Sequence, residues 1–558
     1  MSEAPIARGA DPTALRSRAL AQPGTVLAGA AMLFSGILLL HWLGRLTFWR
    51  DEWDFLLHRR SWSPGTFLHP FAEQLLAIPT LIYRALVTTF GMESAVPWQV
   101  TSVVLFLLSV GLLFVYVRRR AGEWLALAAI LPILFLGSSW DDLLFPFQMA
   151  LFGSIACGIG ALLALDRSDR AGDRAAMVLL ILALLFFDLG IPFVAAVTAE
   201  LALSRDRWRR AFVVIVPTAL WLLWYAGWGH NAHTFISAHN FANAPAYVLD
   251  GLSTSLASFV GLGLAAGGYQ VTPLEWGRPL LVLVAILAAF RIRRLGRPSG
   301  RLVAVSVLLL GFWFLTALNT NPLAPATAGR YQYIGIILIV LVAAELVRGL
   351  RLGRWMTVGL LIVAVSAAVA NGTRLNDAAG GLATIAKRER GGLAALELAR
   401  GRVAPSFKLT EQNSGVDYLG VLDAGSYFSA IDAYGSPAYT PDELATAADL
   451  ARVSADEVSA AALGVGLTPA PAARGGQCLP PRPNIPITVP PSGLLLRAAT
   501  PGIQASLRRY AKSSFPVSLG ELRAGLQELL LITPDRSSTP WLLQLSGPRV
   551  SVCRRLGA

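Results

Sequence analysis

Three carboxylates within four residues, in Arg50-Asp51-Glu52-Trp53-Asp54, stand just after a long apolar run at 25–44. Charges at the edge of hydrocarbon are costly to keep dry. A chain that keeps three there points to their use in catalysis, the plain alternative being charges that cap and solvate a surface helix. If residues 51–60 are helical, Asp51, Asp54 and His58 share one face at i, i+3 and i+7, and Glu52 points elsewhere. A second short helix, expected over 72–90, places Glu73, Ala77, Thr80 and Arg84 on one face, with Pro79 as a kink.

Four further places carry suitable chemistry. Asp141-Asp142 follows Trp140 at the end of an apolar run, and its oxygens suit sugar hydroxyls or a hard cation. An N-cap for the next helix is the plainer reading. His230 and His233 sit at i, i+3, but no Cys or carboxylate nearby completes a zinc site; contacts to a substrate phosphate fit better, and a plain polar loop fits best. Arg330-Tyr331 opens another run. A guanidinium there matches phosphate geometry in bidentate fashion, and an interfacial anchor with a snorkelling stem is its bland counterpart. No cofactor is demanded by this set; a divalent cation, magnesium or manganese, is the one it admits.

The elements that must position these residues are apolar helices. The 558-residue chain is 54% hydrophobic and only 15% charged, with a net charge of +13. A soluble domain carries about 25% charged residues, so the composition is that of a polytopic membrane protein. The basic excess is almost all arginine, with lysine only at 387, 408 and 512, and it sets topology and not nucleic-acid binding. Apolar runs lie near 25–44, 96–117, 124–139, 146–165, 175–187, 191–203, 211–227, 279–292, 302–318, 331–349 and 355–370. Basic loops collect on the cytoplasmic side of a membrane. Placing Arg118–Arg120, 166–174, 204–210, 291–301 and 348–354 there requires 175–187 and 191–203 to form a hairpin. It also requires 245–268 to be re-entrant or interfacial. About eleven spans result, with residues 1–24 as a cytoplasmic tail and 25–371 as the membrane domain. The run at 25–44 is too long for a signal-peptide core and reads as an anchor.

This topology puts the acidic cluster, every histidine and most tryptophans on the outer side. Residues 372–558 follow as an extracytoplasmic domain. It is helical at first, then rich in short apolar stretches bounded by Gly, Pro and Ser, at 493–498, 504–510, 527–533 and 541–546. These read as strands of a mixed α/β or β-sandwich domain. Cys478 and Cys553 both fall in it, where a disulfide persists.

One span, an outer loop opening on Asp51-Glu52, short juxtamembrane helices, a multi-span body and an extracytoplasmic domain together resemble the GT-C superfamily of integral membrane glycosyltransferases. The resemblance covers roughly 25–370, and no Trp-Trp-Asp motif of the oligosaccharyltransferase kind is present. It implies a bacterial plasma-membrane enzyme. Such an enzyme takes a sugar from a polyprenyl-phosphate carrier to an extracytoplasmic glycan, lipid or protein hydroxyl, with inversion. It implies Asp51 as general base, Glu52 or Asp54 positioning it, and Arg330, with Arg84, on the leaving phosphate. The competing readings are a flippase or transporter of lipid-linked glycans, which calls for internal repeats and mid-membrane charges, and a polysaccharide polymerase or ligase.

Overall fold

The computed structural model describes residues 22–263, 274–322, 324–350, 352–470, 478–479, 485–547 and 549–554. The expected tail at 1–24 and the end of the 245–268 run therefore lie largely outside the described residues. The chain is mostly helical, with strands confined to its last hundred residues. Two compact units result. The first comprises residues 1–43, 61–82 and 98–380, and the second residues 44–60, 83–97 and 381–558. These units do not follow chain order as the expected division at 371 does. Parts of the first loop and of the second short helix belong with the C-terminal residues.

In the first unit, every apolar run of the sequence is helical. Among the described residues, six helices are long and apolar enough to cross a membrane: Pro23–Leu43, Val96–Ala121, Pro146–Leu165, Gly300–Leu318, Gly329–Leu346 and Arg354–Leu398. A seventh follows if Glu123–Leu134 and Gly137–Leu143, bent by 44°, form one broken span. Pro132 lies just before that break, where its missing N–H interrupts the ladder. Length and composition thus support six or seven of the eleven expected spans. The hairpin exists, as Arg170–Phe186 and Gly190–Ala202, and both these and Phe212–Gly227 are shorter than a span. The 245–268 run begins inside the helix Ala238–Phe259.

The ends of two spans are chemically distinct. Arg301 opens Gly300–Leu318, and Asn319 caps its far end. Arg330 opens Gly329–Leu346, and Glu345 lies in its last turn. Eighteen residues at 1.5 Å each separate Arg301 from Asn319 by about 27 Å, close to the thickness of a hydrocarbon core. At one end the charges pair off. Arg301 donates to Glu200 at 2.7 Å, Arg301 and Arg120 both meet Asp166 at 3.2 Å, and Arg120 also donates to Glu345. The other end carries the candidate site.

The second unit closes on a β-sandwich. Its strands are β1 (Leu467–Pro469), β2 (Cys478–Leu479), β3 (Ile487–Thr488), β4 (Leu494–Ala498), β5 (Gln504–Arg508), β6 (Val517–Glu521), β7 (Gln527–Leu530), β8 (Leu542–Leu545) and β9 (Val550–Arg554). They form two antiparallel sheets, β1-β7-β4-β9-β2 and β3-β8-β5-β6. Leu496, Leu530 and Val552 from one sheet and Leu507 and Leu543 from the other fill one core. This burial of alternate residues is what holds two sheets face to face. Cys478 and Cys553 are register partners of β2 and β9 and are joined by a disulfide.

Candidate active site

The first unit gathers a group of carboxylates around a turn that the sequence hides. The expected helix over 72–90 begins only at Ala77. Residues 71–74 form a tight turn closed by a Phe71–Gln74 bridge, with Ala72 at φ 51°. Glu73 therefore sits on a turn tip and not on a helix face with Thr80 and Arg84. Pro79 stands in the first turn of Ala77–Phe90, where its missing N–H costs nothing, so it does not kink the helix.

Glu73 is half-buried, and its carboxylate accepts from the Asn319 side-chain amide at 2.8 Å. Burial raises its pKa, while Arg330, Asn319 and His233 oppose the rise. Two residues on, the Leu75 N–H donates to Asp188 at 3.4 Å. Asp188 occupies the turn of the hairpin between Phe186 and Gly190. Burial pushes its carboxyl up to about 7, helped by the negative charge of Glu73. Two carboxyl groups of raised pKa, one beside a guanidinium, are the pattern of a site that holds and moves protons.

Arg330 reaches this group because Gly329 lets its segment approach closely. A Cβ at Gly329 would stand 2.6 Å from the Ser138 carbonyl and 3.0 Å from Asp141 Oδ1. The Ser139 hydroxyl donates to the Gly329 carbonyl at 2.8 Å, fixing the approach. Asp141 and Asp142 are both buried in the short turn Trp140–Leu143. Neither oxygen of Asp142 accepts a hydrogen bond among the described residues. Arg330 itself is exposed and stacks over Tyr331, its guanidinium carbon 5.4 Å from the ring centre.

The histidines are not a helical pair. His230 lies in the single turn Gly229–Asn231 and contacts the Tyr225 carbonyl at 3.3 Å, whereas His233 lies beyond that turn, edge-on to Phe235. Of the two, only His233 bears on Glu73. Among the described residues, no group of three or more His, Cys, Asp or Glu side chains has the arrangement of a metal site.

In the second unit, the acidic cluster is helical over Arg50–His58. Its carboxylates have separate tasks. Glu52 is fully buried and turns back to accept the Trp49 N–H at 2.8 Å, at the N-terminus of its own helix. That occupies it structurally, whatever role the resemblance suggests. Asp54 meets His58 at 3.0 Å and Arg59 at 3.6 Å. Asp51 lies on the first turn, partly exposed. Arg84, expected to reach a phosphate, is 4% exposed and donates to the Tyr434 hydroxyl at 3.3 Å.

Two residues absent from the sequence reading prove central to these groups. Asp188 is an acid in an otherwise apolar hairpin turn, Phe186-Phe187-Asp188-Leu189-Gly190, and that contrast was its signal. Glu389 has none, since it is embedded in Lys387-Arg388-Glu389-Arg390 and reads as part of a solvated run.

No protein-family model and no curated protein matches the chain. Two solved structures align with it, both of ArnT from Cupriavidus metallidurans. The apo form aligns at 14% identity and a TM-score of 0.44, covering 76% of this chain and 90% of that one. The form bound to undecaprenyl phosphate aligns at 14% identity and a TM-score of 0.41, covering 69% and 82%. The similarity is one of chain trace at low identity, and no residue role is carried across it.

Proposed function

We propose that this chain is a membrane glycosyltransferase that moves a sugar from a polyprenyl-phosphate carrier to an acceptor hydroxyl on a glycan, lipid or protein. The observation that carries this reading is the Glu73–Asp188 pair of raised pKa beside Arg330, at one end of an apolar helical bundle. A carboxylate there takes the proton of the acceptor hydroxyl. The oxygen attacks the anomeric carbon, the bond from that carbon to the carrier phosphate breaks, and the phosphate leaves on its lipid. One displacement inverts the anomeric centre. Arg330 supplies the positive charge that favours the departing phosphate, the electrostatic contribution that tends to be largest in such sites.

Two residues compete for the role of base. The superfamily resemblance assigns it to Asp51. The geometry favours Glu73, because its pKa is raised and a guanidinium stands near it. Asp51→Asn, Glu73→Gln and a deletion strain, compared at matched protein levels for envelope glycans, glycolipids and free carrier phosphate, decide between them. Glu73→Gln matching the deletion, with Asp51→Asn retaining product, makes Glu73 the base; the reverse outcome makes it Asp51. Wild-type product from both variants would sink the transferase reading as stated.

A further inference from the structure

Glu389 lies on the last turns of the helix Arg354–Leu398. That helix of 45 residues is about 67 Å long at 1.5 Å per residue, more than twice a hydrocarbon core, and its apolar stretch ends near residue 370. Glu389 thus stands well beyond the spanning part, inside the second unit, and only 1% exposed. Its two oxygens are shared between two aromatic donors. The Trp53 indole N–H donates to Oε1 at 2.6 Å, and the Tyr418 hydroxyl donates to Oε2 at 2.6 Å. Trp53 belongs to the acidic helix Arg50–His58, is fully buried, and packs edge-on against Phe48 and Tyr427. Tyr418 in turn lies against the Trp49 ring, with centroids 3.9 Å apart. Trp49 is the residue whose N–H Glu52 caps.

We propose that Glu389 is a positioning residue for the acidic helix: by gripping Trp53 directly and Trp49 through Tyr418, it gives the backbone that carries Asp51 one orientation. The inference rests on the transferase reading in so far as Asp51 serves the reaction; the grip itself does not.

The grip depends on proton occupancy. The charged and aromatic groups described around it are largely acidic or neutral. Glu52 and Trp53 come from the acidic helix, Asp417 and Tyr418 from the short turn at 417–421, Tyr427 from Ala424–Tyr434, and Glu397 from Glu389's own helix. The neighbouring Arg388 is engaged with Glu457 and Arg390 with the Pro437 carbonyl, while Lys387 is exposed. Burial accordingly pushes the Glu389 carboxyl up to about 8, against the two hydrogen bonds that favour its charge. When protonated, Glu389 accepts from Trp53 and donates to the Tyr418 oxygen. When ionised, it accepts from both donors, but those two hydrogen bonds only partly offset the burial of its charge among aromatic rings and acidic neighbours, which favours opening of the packing around it.

The test uses the full chain in detergent, labelled with 5-fluorotryptophan, with the Trp53 resonance identified by its absence in Trp53→Phe. That resonance should titrate in the wild type with a midpoint near the alkaline value of Glu389. It should stay constant in Glu389→Gln, whose amide accepts from Trp53 and donates to Tyr418 at every pH. Product formation by membranes should fall through the same pH range in the wild type, and should not do so in Glu389→Gln. A Trp53 resonance that does not titrate, or that titrates equally in Glu389→Gln, overturns the proposal. So does a Glu389→Gln variant that folds but shows the wild-type alkaline loss. Should Asp51→Asn stay active while the Trp53 titration behaves as described, the grip stands and the role of Asp51 falls.

Discussion

Replacing Asp188 by Asn should stabilise this protein in alkaline solution and leave it unchanged in acid. Asp188 is half-buried and its carboxyl is raised from 3.8 to about 7. Between those two values the folded chain holds a proton that the unfolded chain has released. Stability therefore falls as pH rises through that window, and the full cost is present above about 7. A difference of roughly 3 units at about 1.4 kcal/mol each gives an upper figure of about 4 kcal/mol. Partial exposure screens the charge, so the expected gain for Asp188→Asn is about 1–3 kcal/mol. Asn retains an oxygen to accept the Leu75 N–H, so the turn keeps its hydrogen bond. Thermal unfolding of the detergent-solubilised protein at about pH 5 and about pH 8.5 reads the effect, because those values lie on either side of the upper limit of the window. An equal shift at both pH values, or a loss at the higher one, would refute the raised pKa. The same variant should lose product, since a site that stores unfavourable charge commonly trades stability for activity. Full activity would remove Asp188 from the chemistry.

Glu73→Gln should lower the rate of product formation by about 10²–10⁴-fold with unchanged unfolding, the usual contribution of a general base; Gln still accepts the Asn319 amide, so a loss of fold would point to a structural role. Glu52→Ala should cost about 1 kcal/mol through loss of the hydrogen bond from the Trp49 N–H, with Glu52→Gln recovering most of it; thermal unfolding separates this from catalysis, and an activity loss in the stable Gln variant would contradict the capping assignment. Asp456 accepts the backbone N–H groups of Arg509, Tyr510 and Ala511 at 2.7–3.0 Å, so Asp456→Ala should cost about 3–5 kcal/mol at about 1–3 kcal/mol per orphaned donor. Protease resistance of the C-terminal half measures it, and wild-type resistance would refute the estimate.

The apolar runs were legible because a span announces itself through twenty local residues, and each run is a helix. The strands at 494–498, 504–508, 527–530 and 542–545 were legible for the same reason, as short apolar stretches bounded by turn residues. What the sequence hid was decided by tertiary contact. The run at 72–90 looks uniformly helical, yet the Phe71–Gln74 bridge and the positive φ of Ala72 move the helix start to Ala77 and put Glu73 on a turn. Asp51 and Glu52 are neighbours in sequence, but a helix sends them to different faces, and the first-turn geometry claims Glu52 as a cap. Glu389 lies 336 residues from the tryptophan it holds, a separation at which no local pattern carries information.

The two ends of the spans in the first unit separate structural charge from chemical charge. At the end of Arg301 and Glu345, three carboxylates each have a guanidinium within 4 Å: the more exposed Asp166 and Glu200 have Arg301, and the buried Glu345 has Arg120. That is how a fold holds ions it cannot solvate, because an unpaired buried charge is strongly destabilising. At the other end, Glu73 and Asp141 both feel the positive charge of Arg330, while Glu73 accepts the Asn319 amide and Asp188 the Leu75 N–H. Burial raises both the Glu73 and the Asp188 carboxyl, so each holds a proton more readily than an exposed acid does. On the proposed transferase reading, acids that retain protons beside the Arg330 guanidinium are the groups to take the proton of an acceptor hydroxyl, which makes this end of the bundle the place to test for the reaction.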